Sequence, residues 1–442
     1  MRPNQVLLFI IAVMVCLGAL CMVLPGRVAW RGHELRWPTL AEVTGTETEA
    51  PETSETSEVS EVSEESENPE GSEGTEGTKG ADSVPAQEPV VIPKIQIDST
   101  LDSRIYLRAF YASLPEAAER VVRVLHYGDS QIEEDRMTLQ IREHLQARFG
   151  GTGVGLMPLA QTIPSRTVRQ ELYMNRRKVN PYHGPQRYLS YASREMQRAD
   201  GKYGVMSQMA LMADSLVPGS EDITAVCIPQ TASAHYTRWQ VFADSSVHYT
   251  FSGDTVRLQG RGAVYGLSQE CEQGIIVDNI PLRGCLGLVF TKTDSAQLAD
   301  FYSGQNVRLI IMQFGGNAIP FNEKPGTIQA IVTGLREQVQ YIKACAPDAS
   351  ILFIGPSDML RQTEGEWQTY PMVPYMDRLL QKMAQEEEIA YFSLFRWMGG
   401  AGSMARWQAT GLAGSDGVHF YRSGARKAGN AVAEWIMEGM MD

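Results

Sequence analysis

Short apolar runs alternate with amphipathic stretches through most of the chain after about residue 92. The apolar runs that we predict to be buried strands are 121–127, 307–314, 350–354 and 390–394. The stretches with helical spacing of apolar residues are 131–149, 327–344, 373–388 and a closing helix from about Ser423. Strands that alternate with helices indicate a parallel sheet covered on both faces, so the pattern predicts an α/β fold.

This alternation is interrupted between residues 165 and 274. Short β-like runs separated by Gly, Ser and Asp occur there, at 237–242, 247–251 and 255–258. We therefore predict a β-rich module of residues 165–274, inserted between two parts of an α/β core at 92–164 and 275–442. The aromatic side chains in the module either stack on sugar rings or pack in its core: Tyr236, Trp239 and Tyr249.

An uncharged apolar run of 19 residues, 6–24, lies near the N-terminus. As a helix it would be about 28 Å long, close to the roughly 30 Å of a bilayer core. The run exceeds the apolar part of a signal peptide, about 7–15 residues, so we predict that residues 1–30 are an uncleaved membrane anchor. Three arginines follow the run and one precedes it, which opposes export. We still expect the folded part to be exported, because a short tail before a single apolar span suits the secretion machinery.

The formal net charge of −13 is concentrated in one segment. Residues 41–90 hold 14 Glu, one Asp and one Lys, a net of −14, so the rest of the chain sums to about +1. This segment has almost no large apolar side chains and predicts a disordered acidic Ser/Thr/Glu linker over residues 31–91. The near-neutral remainder argues against binding to nucleic acid.

Four cysteines follow the linker, and their spacing matches no metal-ligand pattern: Cys227, Cys271, Cys285 and Cys345. They are either isolated buried thiols, which the sequence favours, or disulfide partners in an oxidising compartment. We expect neither a metal nor an organic cofactor.

The tetrapeptide GDSQ, residues 128–131, follows the first predicted strand. Ligands of open α/β sheets bind beyond the carboxyl ends of the strands, where the hydroxyl of Ser130 could act as a nucleophile. Ser130 and Glu133 also match S-x-x-E, a capping box for the helix that follows. The two roles compete for one hydroxyl group, and Ser130 alone is better explained as a cap.

Two further motifs follow later predicted strands. In GGN, residues 315–317, the side chain of Asn317 can donate a hydrogen bond to a developing oxyanion, although ordinary turns favour the same residue types. Near the C-terminus, Asp416 precedes His419 by three residues and can fix the tautomer of its imidazole. Alternatively, Asp416 and His419 belong to an ordinary surface loop.

Taken together and in this order, the motifs resemble the sequence blocks of the SGNH or GDSL-type serine hydrolases. The resemblance covers about residues 120–165 and 275–442, and it implies a flavodoxin-like three-layer α/β/α core. It also implies a catalytic triad, which would consist of Ser130, Asp416 and His419. The first block reads GDSQ and not GDSL, and Ala318 stands where Asp commonly follows the Asn of the family.

The same resemblance implies an oxyanion hole. Its donors would be the backbone N–H groups of Ser130 and of the glycine of the second block, together with the side chain of Asn317. That glycine must lie on segment 274–289, where we prefer Gly284 to Gly287.

The anchor, acidic linker, core and β insertion resemble a bacterial cell-envelope subgroup that acts on O-acetyl groups of peptidoglycan or other surface polysaccharides. This implies a carbohydrate O-acetylesterase in the bacterial inner membrane, with one membrane span and its catalytic domain in the periplasm. The same triad fits an O-acetyltransferase that works with a multi-pass membrane acyltransferase as its acyl carrier. A non-catalytic polysaccharide-binding protein that retains the motifs structurally is the alternative from another class.

Overall fold

The computed structural model describes residues 27–30, 33–36, 93–159, 163–174, 176–179, 223–243, 245–260, 264–363 and 365–440. The chain divides into two units, residues 1–85 and 86–442. In the first unit, strands β1 (Arg27–Trp30) and β2 (His33–Arg36) form an antiparallel hairpin. The predicted membrane run at 6–24 and the acidic segment 41–90 lie outside the described residues. Among the helices that are described, none has the length and apolar character needed to cross a bilayer.

The second unit contains the remaining strands and the α-helices. The strands are β3 (Val121–Gly128), β4 (Gly155–Met157), β5 (Val168–Met174), β6 (Arg177–Val179), β7 (Ile223–Pro229), β8 (Arg238–Ala243), β9 (Val247–Ser252), β10 (Thr255–Gly260), β11 (Val264–Glu270), β12 (Gly274–Pro281), β13 (Val307–Gln313), β14 (Ser350–Ile354), β15 (Leu360–Thr363), β16 (Glu366–Thr369) and β17 (Ala390–Phe392). The helices are α1 (Arg108–Ser113), α2 (Thr138–Phe149), α3 (Ser295–Gly304), α4 (Pro325–Cys345), α5 (Val373–Glu386), α6 (Leu394–Met398), α7 (Ser403–Ala409) and α8 (Arg422–Glu438).

Five strands form one parallel sheet in the order β12-β3-β13-β14-β17. Numbered along the chain, these strands have the order 2-1-3-4-5, which is the flavodoxin-like doubly wound arrangement. The predicted α/β fold is therefore confirmed. The chain leaves β3 toward one edge of the sheet and returns through β13 toward the other, and the crevice between their carboxyl ends is the usual ligand site of such sheets.

Both faces of this sheet are buried because helices pack on each of them, and successive side chains of each strand point to opposite faces. In β3, Val122 and Val124 belong to the core shared with α2 and α8. Leu125 and Tyr127 belong to the core shared with α3, α4 and α5. Each fully buried aliphatic or aromatic side chain contributes about 1.5–3 kcal/mol. These strands are apolar along almost their whole length because both of their faces are buried.

Two antiparallel sheets lie between α2 and β12 in the chain. Their strand orders are β6-β5-β7-β10-β9 and β4-β11-β8. The ring of Trp239 stacks on that of Phe251 at 5.9 Å and meets Tyr236 edge-on at 5.1 Å. Tyr249 lies against Phe251 at 5.3 Å, and both remain more than two-fifths exposed. For Tyr236, Trp239 and Tyr249, stacking on sugar rings and packing within the module both stay predictions.

The predicted helix 131–149 is wrong over its first turns. Ser130–Asp135 is a 3-10 turn, in which Glu133 is extended and Glu134 and Asp135 have φ values of 60° and 62°. The turn does not continue into a helix because its acidic side chains are held elsewhere. Asp135 pairs with Arg142 and accepts from the Thr167 hydroxyl, and α2 begins only at Thr138.

One smaller expectation changes, and another is confirmed. The predicted strand 390–394 ends at Phe392, and Leu394 already begins α6. The four cysteines after the linker are unpaired thiols among the described residues, three of them buried and Cys285 partly so.

Candidate active site

A cavity of about 300 Å³ opens at the carboxyl ends of β3 and β13. This volume is at the lower end of what small-molecule sites occupy. The predicted site residues that line it are Ser130, Gly284, Asn317 and His419. Asp416 stands behind His419 and completes the group.

Ser130, His419 and Asp416 form one hydrogen-bonded series. Ser130 Oγ lies 2.8 Å from His419 Nε2, and His419 Nδ1 lies 2.7 Å from Asp416 Oδ2. The capping box is not formed, because the hydroxyl of Ser130 is bonded to the imidazole. The Glu133 carboxylate instead pairs with Arg283 at 2.5–2.6 Å, and Asp129 caps the turn by accepting from Gln131 N–H. Ser130 therefore has the partner that a nucleophile needs.

The loop that carries Asp416 and His419 orients the carboxylate by its own backbone. The N–H groups of Val418 and His419 both donate to Asp416 Oδ1 at 3.0 Å, and Gly417 makes the turn with a φ of 70°. Burial raises the pKa of Asp416, but the hydrogen bonds from the His419 imidazole and these two N–H groups outweigh it and hold the pKa below its usual range. The carboxylate is thus ionised near neutral pH and favours the tautomer with hydrogen on Nδ1.

Asn317 lies in a short 3-10 turn, Gly316–Ala318, directly after β13. Its Nδ2 donates to Asp129 Oδ2 at 3.0 Å and to the Cys285 carbonyl at 3.2 Å. The amide nitrogen therefore bridges the loops that follow three neighbouring strands, β3, β12 and β13.

The loop after β12 contains both glycines considered for the oxyanion hole. Gly284 lines the cavity, whereas a Cβ added to Gly287 would lie 2.7 Å from the ring of Phe314. Gly287 thus serves the packing of the loop against the core, and Gly284 is the glycine that faces the cavity.

Asp129 was not singled out from the sequence, although it precedes Ser130 directly. Its carboxylate is buried, and it accepts from Gln131 N–H through Oδ1 and from Asn317 Nδ2 through Oδ2. Burial raises the pKa of Asp129 to about 6, against the opposing effects of the Gln131 N–H group and His419. One buried carboxylate thus fixes both the turn of Ser130 and the amide of Asn317.

Gln131, the residue that departs from GDSL, connects two segments of the site. One is the turn of residues 130–135, called the nucleophile turn below, and the other is the loop that carries Asp416 and His419, called the histidine loop. Gln131 Nε2 donates to the Val418 carbonyl at 2.7 Å. A leucine at this position has no donor for that carbonyl. The departure could be noticed from the sequence, but the partner of Gln131 lies 287 residues away.

The hairpin of β15 and β16 packs on the same loop and was not predicted. Leu360 N–H donates to the Gly417 carbonyl at 2.9 Å, and a Cβ added to Gly417 would lie 2.9 Å from Leu360 Cβ and 3.3 Å from Trp367. On the opposite face of the hairpin, Arg361 forms an ion pair with Glu323. The hairpin therefore links the histidine loop to the loop that follows Asn317.

Among known proteins, those similar to this chain are similar in structure. No protein-family model matches the chain, and no curated protein matches it. The solved structure of a peptidoglycan O-acetylesterase is similar over 78% of this chain and 97% of that protein, with a TM-score of 0.57 and 20% sequence identity. A carbohydrate acetylesterase from Sinorhizobium meliloti matches over 37% of this chain and 79% of its own, with a TM-score of 0.28 and 18% identity.

The first of these similarities extends over nearly the whole of the solved protein. At 20% identity such a likeness concerns the fold alone. The chain thus shares its α/β fold with this solved protein.

Proposed function

We propose that the protein is a serine-dependent carbohydrate O-acetylesterase that acts on acetylated cell-envelope polysaccharide or peptidoglycan. The hydrogen-bonded series Asp416–His419–Ser130, which opens on one cavity with Asn317 and Gly284, carries this proposal. The substrate class is supported by the similar fold of a peptidoglycan O-acetylesterase.

In the proposed mechanism, His419 Nε2 takes the proton of the Ser130 hydroxyl as Oγ attacks the acetyl carbonyl carbon. Asp416 stabilises the imidazolium that forms. The tetrahedral intermediate collapses when the sugar oxygen leaves with the proton from Nε2, and the acetyl group remains on Ser130. A water molecule activated by His419 then releases acetate and restores the serine.

The oxyanion would be held by the backbone N–H groups of Ser130 and Gly284 and by Asn317 Nδ2. Both hydrogens of this amide have acceptors, Asp129 Oδ2 and the Cys285 carbonyl. The bond to the carbonyl is the longer one, at 3.2 Å, so we propose that the oxyanion replaces this acceptor. Removal of one such donor typically lowers turnover by about 10²–10³-fold.

The experiment that tests the proposal measures acetate release from O-acetylated peptidoglycan and from defined acetylated glycans. Ser130→Ala is expected to lower the rate by on the order of 10⁴-fold or more and to abolish labelling by a fluorophosphonate probe. An unchanged rate would exclude Ser130 as the nucleophile. If acetyl transfer to an added oligosaccharide outpaces acetate release, the enzyme is an O-acetyltransferase, and glycan binding without turnover would indicate a binding protein.

We further propose that residues 1–30 anchor the protein in the inner membrane, with the catalytic unit in the periplasm. The apolar run 6–24 supports this placement. Protease added to spheroplasts should digest the catalytic unit while cytoplasmic markers stay intact, and full protection in intact spheroplasts would contradict it.

A further inference from the structure

Phe321 lines the cavity that contains Ser130, Asn317 and His419, yet 86% of the residue is exposed. The next most exposed large apolar residue among those described is Tyr421, at 52%. Isolated surface aromatics need no explanation in general. Phe321 differs because it presents nearly a whole ring at the edge of a cavity that also holds a nucleophile and its base.

The loop that carries Phe321 is held in place from both sides. Its first residues, Ala318 and Ile319, are buried. Asn322 donates through Nδ2 to the Ala318 carbonyl at 2.6 Å and through its backbone N–H to the Ile319 carbonyl. Glu323 then pairs with Arg361 of the β15–β16 hairpin. A ligand that contacts the ring would therefore pay little for ordering this loop.

The chemistry of the ring limits what it can bind. A phenyl group offers a flat apolar face and no hydrogen-bonding atom. An acetyl group carries one methyl and covers only a small part of such a face, whereas the C–H face of a pyranose ring has about the area of the phenyl ring. The cavity of about 300 Å³ also has room for more than an acetyl group.

We propose that Phe321 is a stacking platform for a pyranose ring of the acetylated glycan, and thereby selects the sugar part of the substrate. This inference rests on the proposed function. A long acyl chain is the competing ligand for an apolar ring, and the test below separates the two.

The test compares three esters in the full-length protein: 4-nitrophenyl acetate, 4-nitrophenyl octanoate and an O-acetylated N-acetylglucosamine oligosaccharide. Phe321→Ala should raise KM for the oligosaccharide by about tenfold, which corresponds to about 1.4 kcal/mol of lost contact. Its kcat on that substrate should change less than its KM, and its kcat/KM on the two nitrophenyl esters should fall by less than on the oligosaccharide, because neither ester has a pyranose ring. Phe321→Trp keeps a flat apolar face, so its KM for the oligosaccharide should stay close to that of wild type.

Ile105→Ala serves as the matched control, because Ile105 is an exposed apolar residue, at 40%, outside the cavity. It should leave all three substrates unaffected. An unchanged oligosaccharide KM in Phe321→Ala would overturn the inference, as would a loss confined to the octanoate ester or equal losses on all three. If the wild-type protein releases acetate from none of the three, the proposed function fails, which is a different outcome from a selective failure at Phe321.

Discussion

Gln131 is the residue through which the nucleophile turn holds the histidine loop. Gln131→Leu removes the hydrogen bond to the Val418 carbonyl and leaves that acceptor next to an apolar side chain. We expect kcat to fall by about tenfold, the effect of roughly 1.4 kcal/mol, because His419 is then less well fixed against Ser130. KM should change little. Steady-state kinetics on 4-nitrophenyl acetate measure this split.

The matched control is Gln146→Leu. Gln146 is also buried and donates to backbone carbonyls, those of Gly153 and Ile275, but it lies outside the cavity. It should lower stability without lowering kcat. A kcat for Gln131→Leu equal to that of wild type would remove Gln131 from this positioning role.

Asp129 makes a pH-dependent contribution to stability whose sign follows from its pKa. Burial raises the pKa of Asp129 to about 6 in the folded protein, from 3.8 as the ordinary value. Between these values the folded protein binds a proton that the unfolded chain has released. The contribution of Asp129 to the free energy of unfolding is therefore fully present below about pH 4 and is lost as the pH rises through about 6. The total change is about 3 kcal/mol.

Asp129→Asn removes this titration while keeping the shape of the side chain. The free energy of unfolding of the wild type, measured relative to that of Asp129→Asn, should therefore fall between pH 4 and pH 7. Urea unfolding at several pH values measures it, and the comparison cancels the other titrating groups. A difference that does not vary with pH would contradict the raised pKa.

At the scale of elements, the β15–β16 hairpin supports the loop that carries His419. Gly417→Ala puts a Cβ at a φ of 70° and within 2.9 Å of Leu360 Cβ, so the hairpin and the loop must separate. We expect stability to fall by more than about 1 kcal/mol and kcat to fall with it. Thermal unfolding and acetate release measure the two effects.

Gly411→Ala provides the control for backbone strain alone. Gly411 has a φ of 68°, and a Cβ there would meet no described atom within 4 Å. Its substitution should cost stability of about 1 kcal/mol and leave kcat unchanged. Equal kcat values for the two variants would mean that the hairpin does not position His419.

The elements that could be predicted from sequence are those whose own residues determine their structure. The strands β3, β13 and β14 are apolar on both faces because the sheet is covered on both sides, and their predicted bounds agree with the observed ones within a residue or two. The helix after Ser130 was placed too early, because the residues that bend this turn have partners far along the chain, such as Arg283. The hairpin was not predicted for a similar reason. Its role depends on its contact with Gly417, and no local pattern in the sequence encodes that contact.

At the scale of the whole molecule, the strand order places the candidate site. Ser130 follows β3 and Asn317 follows β13, and the two strands are neighbours at the point where the winding of the sheet reverses. The motif order in the sequence allowed these residues to be grouped. The sequence could not reveal that Asp129 joins them, because the hydrogen bond to Asn317 spans 188 residues.

The antiparallel sheets are tied to the parallel sheet by a buried charged group. Arg123 of β3 donates to both carboxylate oxygens of Asp278 in β12 at 2.8–2.9 Å and also pairs with Glu270 at the end of β11. All three side chains are almost completely buried. Asp278 in addition accepts from the backbone N–H of Leu156 in β4 at 2.7 Å. Two sheets of different topology therefore share one set of ionic contacts.

Arg123→Met tests the strength of this connection, because it leaves the Asp278 carboxylate buried without its cation and leaves Glu270 with Arg238 as its cation. We expect a loss of about 3–5 kcal/mol in the free energy of unfolding. Arg336→Met removes the cation of a surface pair with Glu386 and should cost less than about 1 kcal/mol.

Because Glu270 belongs to the antiparallel sheets and Asp278 to the parallel sheet, wild type should unfold in urea in one transition and Arg123→Met in two. Equal losses for the two variants, or a single transition in both, would mean that the sheets are coupled by apolar packing and not by Arg123.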